Sequence, residues 1–299
     1  MNTTEMRMAS NRVRDIERYF HQELDAMYGV GEVDAMLRML FEAYMGWDPT
    51  AQLLHRDDTV NQSDLLRFHW AAEDLKRWRP IQHIIGWTEF CGCRIAVDEH
   101  TLIPRPETEE MVERIVAAYG EREPRHVIDL CTGSGCIAIA LAKRWPGAEV
   151  IGVDVSGEAL AVAERNAADN GVAVQFVQAD ILDDGWEEVL PPYPFDLIVS
   201  NPPYVRESER KEMSANVKDY EPGMALFVPD ETPLVFYEAL ARFAQRRLAA
   251  ERQCHVEINE ALGGATAAAF EAVGMDCEIR RDFRGKERVV SMARSEQRQ

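Results

Sequence analysis

Through the first quarter of the chain, apolar residues recur at the spacing of a helix face. Val33, Met36, Leu37, Leu40, Phe41 and Tyr44 form one such stripe, and Leu65, Leu66, His69, Trp70 and Leu75 another. Several amphipathic helices are therefore predicted up to about Arg79, with breaks at 29–31, 46–49 and 61–63, where Ser63 is placed to cap the helix that follows. Together they make a small helical bundle. Between Pro80 and Pro106 the period changes: Phe90, Ile95 and Val97 alternate with polar or small neighbours, Gly86 and Gly92 punctuate, and Pro104 and Pro106 close the segment. That pattern predicts a hairpin linker.

From Arg125 onward short apolar runs alternate with helical stretches, the pattern of an α/β protein whose parallel sheet is covered on both faces. Strands are predicted at 126–130, 149–153, 174–178, 195–199 and 255–258, and helices at 106–116, 136–143 and 157–170. Residues 275–281 and 287–293 follow each other across a short turn with no helix between them, which predicts a closing antiparallel pair. The last residues, 294–299, read as a frayed tail.

With 299 residues, 46% of them hydrophobic and 28% charged, the chain can bury more than one core. No run approaches the ~18 uncharged apolar residues of a membrane span. Residues 1–18 also lack the apolar stretch of a secretory signal, so a cytoplasmic protein is expected. The net charge of -19 opposes binding to polynucleotide phosphates. Residues 1–80 hold 10 basic and 14 acidic side chains against 23 and 38 in the remainder, so most of that repulsion lies beyond the helical region. Cys91, Cys93, Cys131, Cys136, Cys254 and Cys277 show neither paired Cys-x-x-Cys spacing nor a nearby His framework, so they read as small buried residues and no metal site is expected.

The first concentration of chemistry is Asp129-Leu130-Cys131-Thr132-Gly133-Ser134-Gly135, which leaves an apolar strand, turns on two glycines and enters a helix. Glycine lets a ligand approach the backbone, and a helix N-terminus offers unpaired N–H donors. The next strand ends at Asp154, where a carboxylate can accept from both hydroxyls of an adenosine ribose. The third ends at Asp180-Ile181, placed to take an adenine amino group and cover its ring. Taken alone, Asp154 also reads as a cap of the helix at 157–170. Three successive strand ends say nucleoside cofactor. Asp129 puts negative charge beneath the turn, which suits a sulfonium better than a pyrophosphate and favours S-adenosylmethionine over NAD.

The second concentration is Asn201-Pro202-Pro203-Tyr204, at the end of the fourth strand and beside the same crevice. Two prolines remove two backbone donors and stiffen the turn. The Asn201 amide oxygen and the Pro202 carbonyl then offer two acceptors for a planar NH2 group, with Tyr204 on its face.

These residues resemble the release factor glutamine methyltransferases, which methylate the side-chain amide of glutamine in the Gly-Gly-Gln motif of peptide chain release factors. The resemblance runs from about Pro80 to Arg294 and rests on 129–135, Asp154, Asn201-Pro202-Pro203-Tyr204 and the preceding Leu102-Ile103-Pro104-Arg105-Pro106-Glu107-Thr108-Glu109. It implies a seven-stranded Rossmann-like class I methyltransferase sheet with an N-terminal helical bundle. The expected domains are a substrate-binding bundle at 1–79, the hairpin linker at 80–106 and a methyltransferase domain at 107–299.

By position, the resemblance implies cofactor contacts from Cys131, Thr132, Gly133, Ser134, Gly135, Asp154, Asp180, Ile181 and Asn201, and substrate contacts from Asn201, Pro202, Pro203 and Tyr204. The implied cofactor is S-adenosylmethionine, leaving as S-adenosylhomocysteine, and the implied partner is a release factor. Cys131 stands where the family usually has Gly, and Glu257-Ile258-Asn259 where Glu-x-Gly is usual. Glu107 also reads as a plain helix N-terminal acid. Two other readings stay open: an adenine-N6 methyltransferase of DNA or RNA, which should carry a basic groove, and a non-catalytic adaptor that kept the cofactor fold.

Overall fold

The computed structural model describes residues 8–294, so the tail expected at the C-terminus lies outside the described residues from 295 on. The chain divides into two compact units. The first comprises the residues up to Gly86 together with Ala215–Tyr220, and the second Trp87–Ser214 with the residues from Glu221 onward.

The helical unit contains α1 (Val13–Tyr28), α2 (Val30–Met45), α3 (Pro49–Leu54), α4 (Gln62–Leu75) and α5 (Ile81–Ile85). Ile16, Phe20 and Leu24 of α1 share a buried core with Leu37, Leu40 and Phe41 of α2 and Phe68, Ala72 and Leu75 of α4. The cap of α4 is Asn61, whose side chain accepts from the Asp64 N–H at 2.9 Å, rather than Ser63. Asn61 has extended backbone outside the helix, whereas Ser63 already lies in its first turn. Leu66 and Trp70, counted in the apolar stripe, sit on the outer face of α4, 41% and 60% exposed.

The second unit opens with an antiparallel hairpin of β1 (Trp87–Phe90) and β2 (Cys93–Ala96). The stretch expected as one hairpin linker is thus divided, with α5 in the helical unit and the hairpin in the second. There follow α6 (Pro106–Tyr119), β3 (His126–Leu130), α7 (Cys136–Arg144), β4 (Glu149–Asp154), α8 (Gly157–Asp169), β5 (Gln175–Gln178), β6 (Phe195–Ser200) and β7 (Val205–Arg206). Helix α9 (Ala215–Lys218) falls in the segment that clusters with the helical unit. The chain then continues through β8 (Phe227–Val228), α10 (Val235–Arg247), β9 (Leu248–Glu257), α11 (Gly263–Glu271), β10 (Met275–Arg281) and β11 (Glu287–Arg294).

Seven strands form one sheet in the order β10-β11-β9-β6-β3-β4-β5. The run from β9 to β5 is parallel, and β11 pairs antiparallel with both β9 and β10. Because side chains alternate, Val127 of β3 packs into one core with α6 and α7, while Ile128 and Leu130 pack into the other with α10. Burial on both faces explains why the strands read as apolar runs. The strand order reverses at β3, which has β4 on one side and β6 on the other. Ligands in such sheets bind beyond the carboxyl ends of the strands at that reversal.

Candidate functional site

At the end of β3 the chain turns through three left-handed residues, Cys131 (φ 61°), Gly133 (φ 55°) and Gly135 (φ 78°). The Thr132 N–H donates to the Val153 carbonyl of β4 at 2.9 Å, which pins the turn to the neighbouring strand. A Cβ on Gly133 would meet nothing within 4 Å, so the space over the turn is open. A Cβ on Gly135 would lie 3.0 Å from that of Ala163 and 3.1 Å from Ile139 Cδ1, so this glycine lets the start of α7 pack closely. Beneath the turn, buried Asp129 accepts from the Thr132 hydroxyl at 2.5 Å, and its Oδ1 has no hydrogen-bond partner among the described residues. Burial pushes its carboxyl up to about 7, against the Thr132 hydrogen bond.

Asp154, at the end of β4, accepts from the Gly133 N–H at 2.8 Å and the Ser156 N–H at 3.0 Å. Burial raises its pKa, and those two N–H groups oppose the rise. The cap of α8 is Ser156, whose hydroxyl accepts from the Ala159 N–H at 3.1 Å, so Asp154 is not needed there. Its carboxylate is fixed in orientation, and each oxygen keeps a lone pair for a ligand. After β5, Asp180 accepts from the Leu182 N–H at 2.9 Å, and Ile181 is buried between them in sequence. One cavity is lined by Cys131, Thr132, Gly133, Ser134, Asp154, Asp180, Ile181, Asn201 and Pro203 together. Gly135, Pro202 and Tyr204 lie outside its lining.

The wall facing the turn comes from Leu102, Pro104, Arg105 and Thr108. Buried Glu221 braces it, accepting from the Ile103 N–H at 3.0 Å and from Arg105 at 2.6 Å. At the end of β6 the Asn201 Nδ2 donates to the Thr108 hydroxyl at 3.2 Å. That hydroxyl donates to Glu257 at 2.6 Å, and the Tyr204 hydroxyl donates to the other oxygen of Glu257 at 2.9 Å. Glu257 ends β9 and is 1% exposed, and Tyr237 donates to its carbonyl at 3.1 Å. Burial raises the Glu257 pKa, opposed by the two hydroxyls and by the charge of Arg288.

Two family models match the chain, one in each unit. Residues 17–86 match the PrmC N-terminal domain family and residues 108–218 the Methyltransferase small domain family. The chain is 37% identical over 286 residues to the release factor glutamine methyltransferase of Flavobacterium psychrophilum, covering 94% of this chain and 98% of that one. The chain belongs to the release factor glutamine methyltransferase family. The family's enzyme from Bacteroides thetaiotaomicron is also 37% identical, over 93% of this chain and 99% of its own. Among solved structures, the delta-N METTL16 MTase domain superposes with a TM-score of 0.51 at 16% identity, covering 69% of this chain and 90% of that one. That likeness is one of fold, the class I methyltransferase sheet.

This release factor glutamine methyltransferase family member departs from the usual pattern at two positions, and the structure shows what each does. Cys131 holds the left-handed conformation that glycine adopts without strain. Asn259 needs no such conformation, and its side chain donates to the Tyr204 carbonyl at 3.2 Å and to Glu209 at 2.9 Å. It therefore ties the backbone at Tyr204 to the segment at Glu209. Sequence reasoning missed Thr108, Glu221 and Asn259 as supports. Glu107 lies 3.6 Å from Arg284, an ion pair away from Asn201's own partners. Among the described residues no helix is long and apolar enough to cross a membrane.

Proposed function

We propose that this methyltransferase transfers a methyl group from S-adenosylmethionine to the side-chain amide nitrogen of the glutamine in the Gly-Gly-Gln motif of peptide chain release factors. The observation that carries the reading is the orientation of Asn201. With its Nδ2 donating to Thr108, its Oδ1 is the group left to meet a substrate NH2. The relatives' names supply the substrate class.

The cavity fits the cofactor. The open space over Gly133 and the N-terminus of α7 admit a close-lying ligand, and Asp154 is a fixed acceptor for ribose hydroxyls. Asp180 and Ile181 would hold the adenine, the first through its amino group and the second against the ring. When bound there, S-adenosylmethionine supplies a methyl group activated by its sulfonium.

The protein's part is to present the acceptor nitrogen. An amide nitrogen has its lone pair delocalised and is a poor nucleophile. The Asn201 Oδ1 and the Pro202 carbonyl accept its two hydrogens, which favours a more pyramidal nitrogen and fixes its direction. Tyr204 closes the clamp. The extra proton of the methylated nitrogen passes to water after attack, so no strong base is required. The helical unit would grip the body of the release factor. The acidic excess beyond residue 80 disfavours an adenine-N6 enzyme on DNA or RNA.

The test is incubation with labelled S-adenosylmethionine and, separately, a release factor, its Gly-Gly-Glu variant and duplex DNA, followed by mass spectrometry. Label on the glutamine alone is expected. Label on the Glu variant or on the DNA would overturn the assignment.

A further inference from the structure

An asparagine amide has nearly the same shape either way round, yet only one orientation presents an acceptor to the cavity. Turned over, Asn201 would aim two hydrogens at a substrate NH2 and repel it. A neighbouring hydroxyl does not settle the choice, because a hydroxyl both donates and accepts. A carboxylate does settle it, having no hydrogen to give.

We infer that Glu257 and Thr108 are positioning residues, a one-way relay that fixes which end of the Asn201 amide faces the substrate. The inference rests on the reading of Asn201 as the acceptor for an amide NH2. Glu257 accepts from Thr108 through one oxygen and from Tyr204 through the other, at 2.6 and 2.9 Å. The single Thr108 proton is thereby committed to Glu257. What Thr108 has left for Asn201 is a lone pair, and the Asn201 Nδ2 donates to it at 3.2 Å. The direction of the whole chain is set at Glu257, which lies outside the cavity lining.

Three facts make this more than incidental bonding. The relay crosses three separate parts of the fold, the start of α6, the end of β6 and the end of β9. Thr108 and Glu257 are 2% and 1% exposed, so water does not compete for the hydrogens. Tyr204 is held by the same carboxylate, so both side chains of the clamp take their orientation from one group.

The experiment compares Glu257→Gln, Thr108→Val and Thr108→Ser with the wild type in the full-length chain. Glutamine keeps the shape of Glu257 but has one acceptor oxygen for two hydroxyls, so either Thr108 or Tyr204 loses its acceptor and one side chain of the clamp is released. For Glu257→Gln and Thr108→Val, kcat on release factor is expected to fall about 10- to 100-fold. Cofactor affinity should stay within about twofold of the wild type, and Thr108→Ser should restore most of the rate. A normal kcat in Glu257→Gln, a Thr108→Ser variant as slow as Thr108→Val, or a cofactor affinity that falls in step with the rate would overturn the relay.

Melting temperatures show whether Thr108→Val folds; if it does not, Glu257→Gln and Thr108→Ser decide the matter. The second arm follows the Asn201 side-chain NH2 by NMR in asparagine-labelled protein without substrate. Its hydrogen-bonded shift should be lost in Thr108→Val and kept in Thr108→Ser. An unchanged shift in all the variants overturns the relay. Should the wild type leave release factor unlabelled, the substrate reading fails, and this arm alone judges the relay.

Discussion

The two ends of the cavity are built by different means. At the end proposed for the cofactor, the turn after β3 is held by Asp154 and Val153 of the adjacent strand, and its shape comes from backbone conformation at Cys131, Gly133 and Gly135. At the end proposed for the amide, Asn201 and Tyr204 are held by side chains from distant parts of the chain, Thr108 and Glu257. Backbone donors have a fixed sense, whereas an amide side chain must be given one. The amide end therefore needs a layer of support that the cofactor end does without.

If that division is real, the two ends should fail separately. Asn201→Ala should lower methyl transfer by ~10²–10³-fold while calorimetry shows a far smaller loss of cofactor affinity, since the amide loses its side-chain acceptor and the cofactor keeps Asp154 and the turn. Joint loss of both would erase the distinction. Asp154→Ala should do the reverse. Hydrogen bonds to a charged group are worth ~1.5–3 kcal/mol each, so cofactor binding should weaken by at least tenfold, with much of the rate recovered at saturating cofactor.

A third prediction compares the ends through pH. Asp129 has its pKa raised to about 7, so between the ordinary carboxylate value and 7 the folded protein holds a proton that the unfolded chain has released. Its contribution to stability is thus lost as pH rises through that window. His255, two residues before Glu257, is pushed down to about 3 by burial, so its contribution is lost as pH falls from 6.5 toward 3. The two oppose each other where the windows overlap. Urea unfolding of Asp129→Asn should show stability relative to wild type rising with pH between about 4 and 7, by roughly 1.4 kcal/mol per unit at most. A difference that does not vary with pH would mean that Asp129 ionises normally.

The smallest effect concerns the strained turn. Glycine ordinarily destabilises relative to alanine, but at φ 61° the left-handed penalty of ~1–2 kcal/mol reverses the order. Cys131→Gly should therefore melt a few degrees above Cys131→Ala. The opposite ranking would place the strain elsewhere.

What could be read in the sequence follows the same division. The turn, Asp154, Asp180 and Asn201 each sit at a strand end, and strand ends announce themselves by apolar runs that stop. The closing antiparallel pair was legible because residues 275–281 and 287–293 follow each other with no helix between them, whereas the order of the strands came only with the fold. Thr108 reads as an ordinary helix residue, and the motif around it gave no hint of its partner on β9. Glu257 was noticed only as a departure in its neighbour, Asn259. Strand β9 begins at Leu248, well before the expected 255, because pairing with β6 and β11 extends a stretch whose polar residues carry no alternation. The segment Ala215–Tyr220 clusters with the helical unit although it lies far along the chain, which no local pattern encodes.

The place of β9 in the sheet gives the two ends different birthdays. Strand β4 pairs with β3 and β5 with β4, so Val153 and Asp154, which hold the turn after β3, are both made by Ile181. Glu257 arrives 53 residues after Tyr204, on a strand whose outer neighbour, β11, is the last to be made. Domains generally fold as units, with the N-terminal parts of a chain made first. The carboxylate that fixes the direction of the Thr108 hydroxyl is thus made after the turn, Asp154, Asp180 and Asn201 are all in place along the chain.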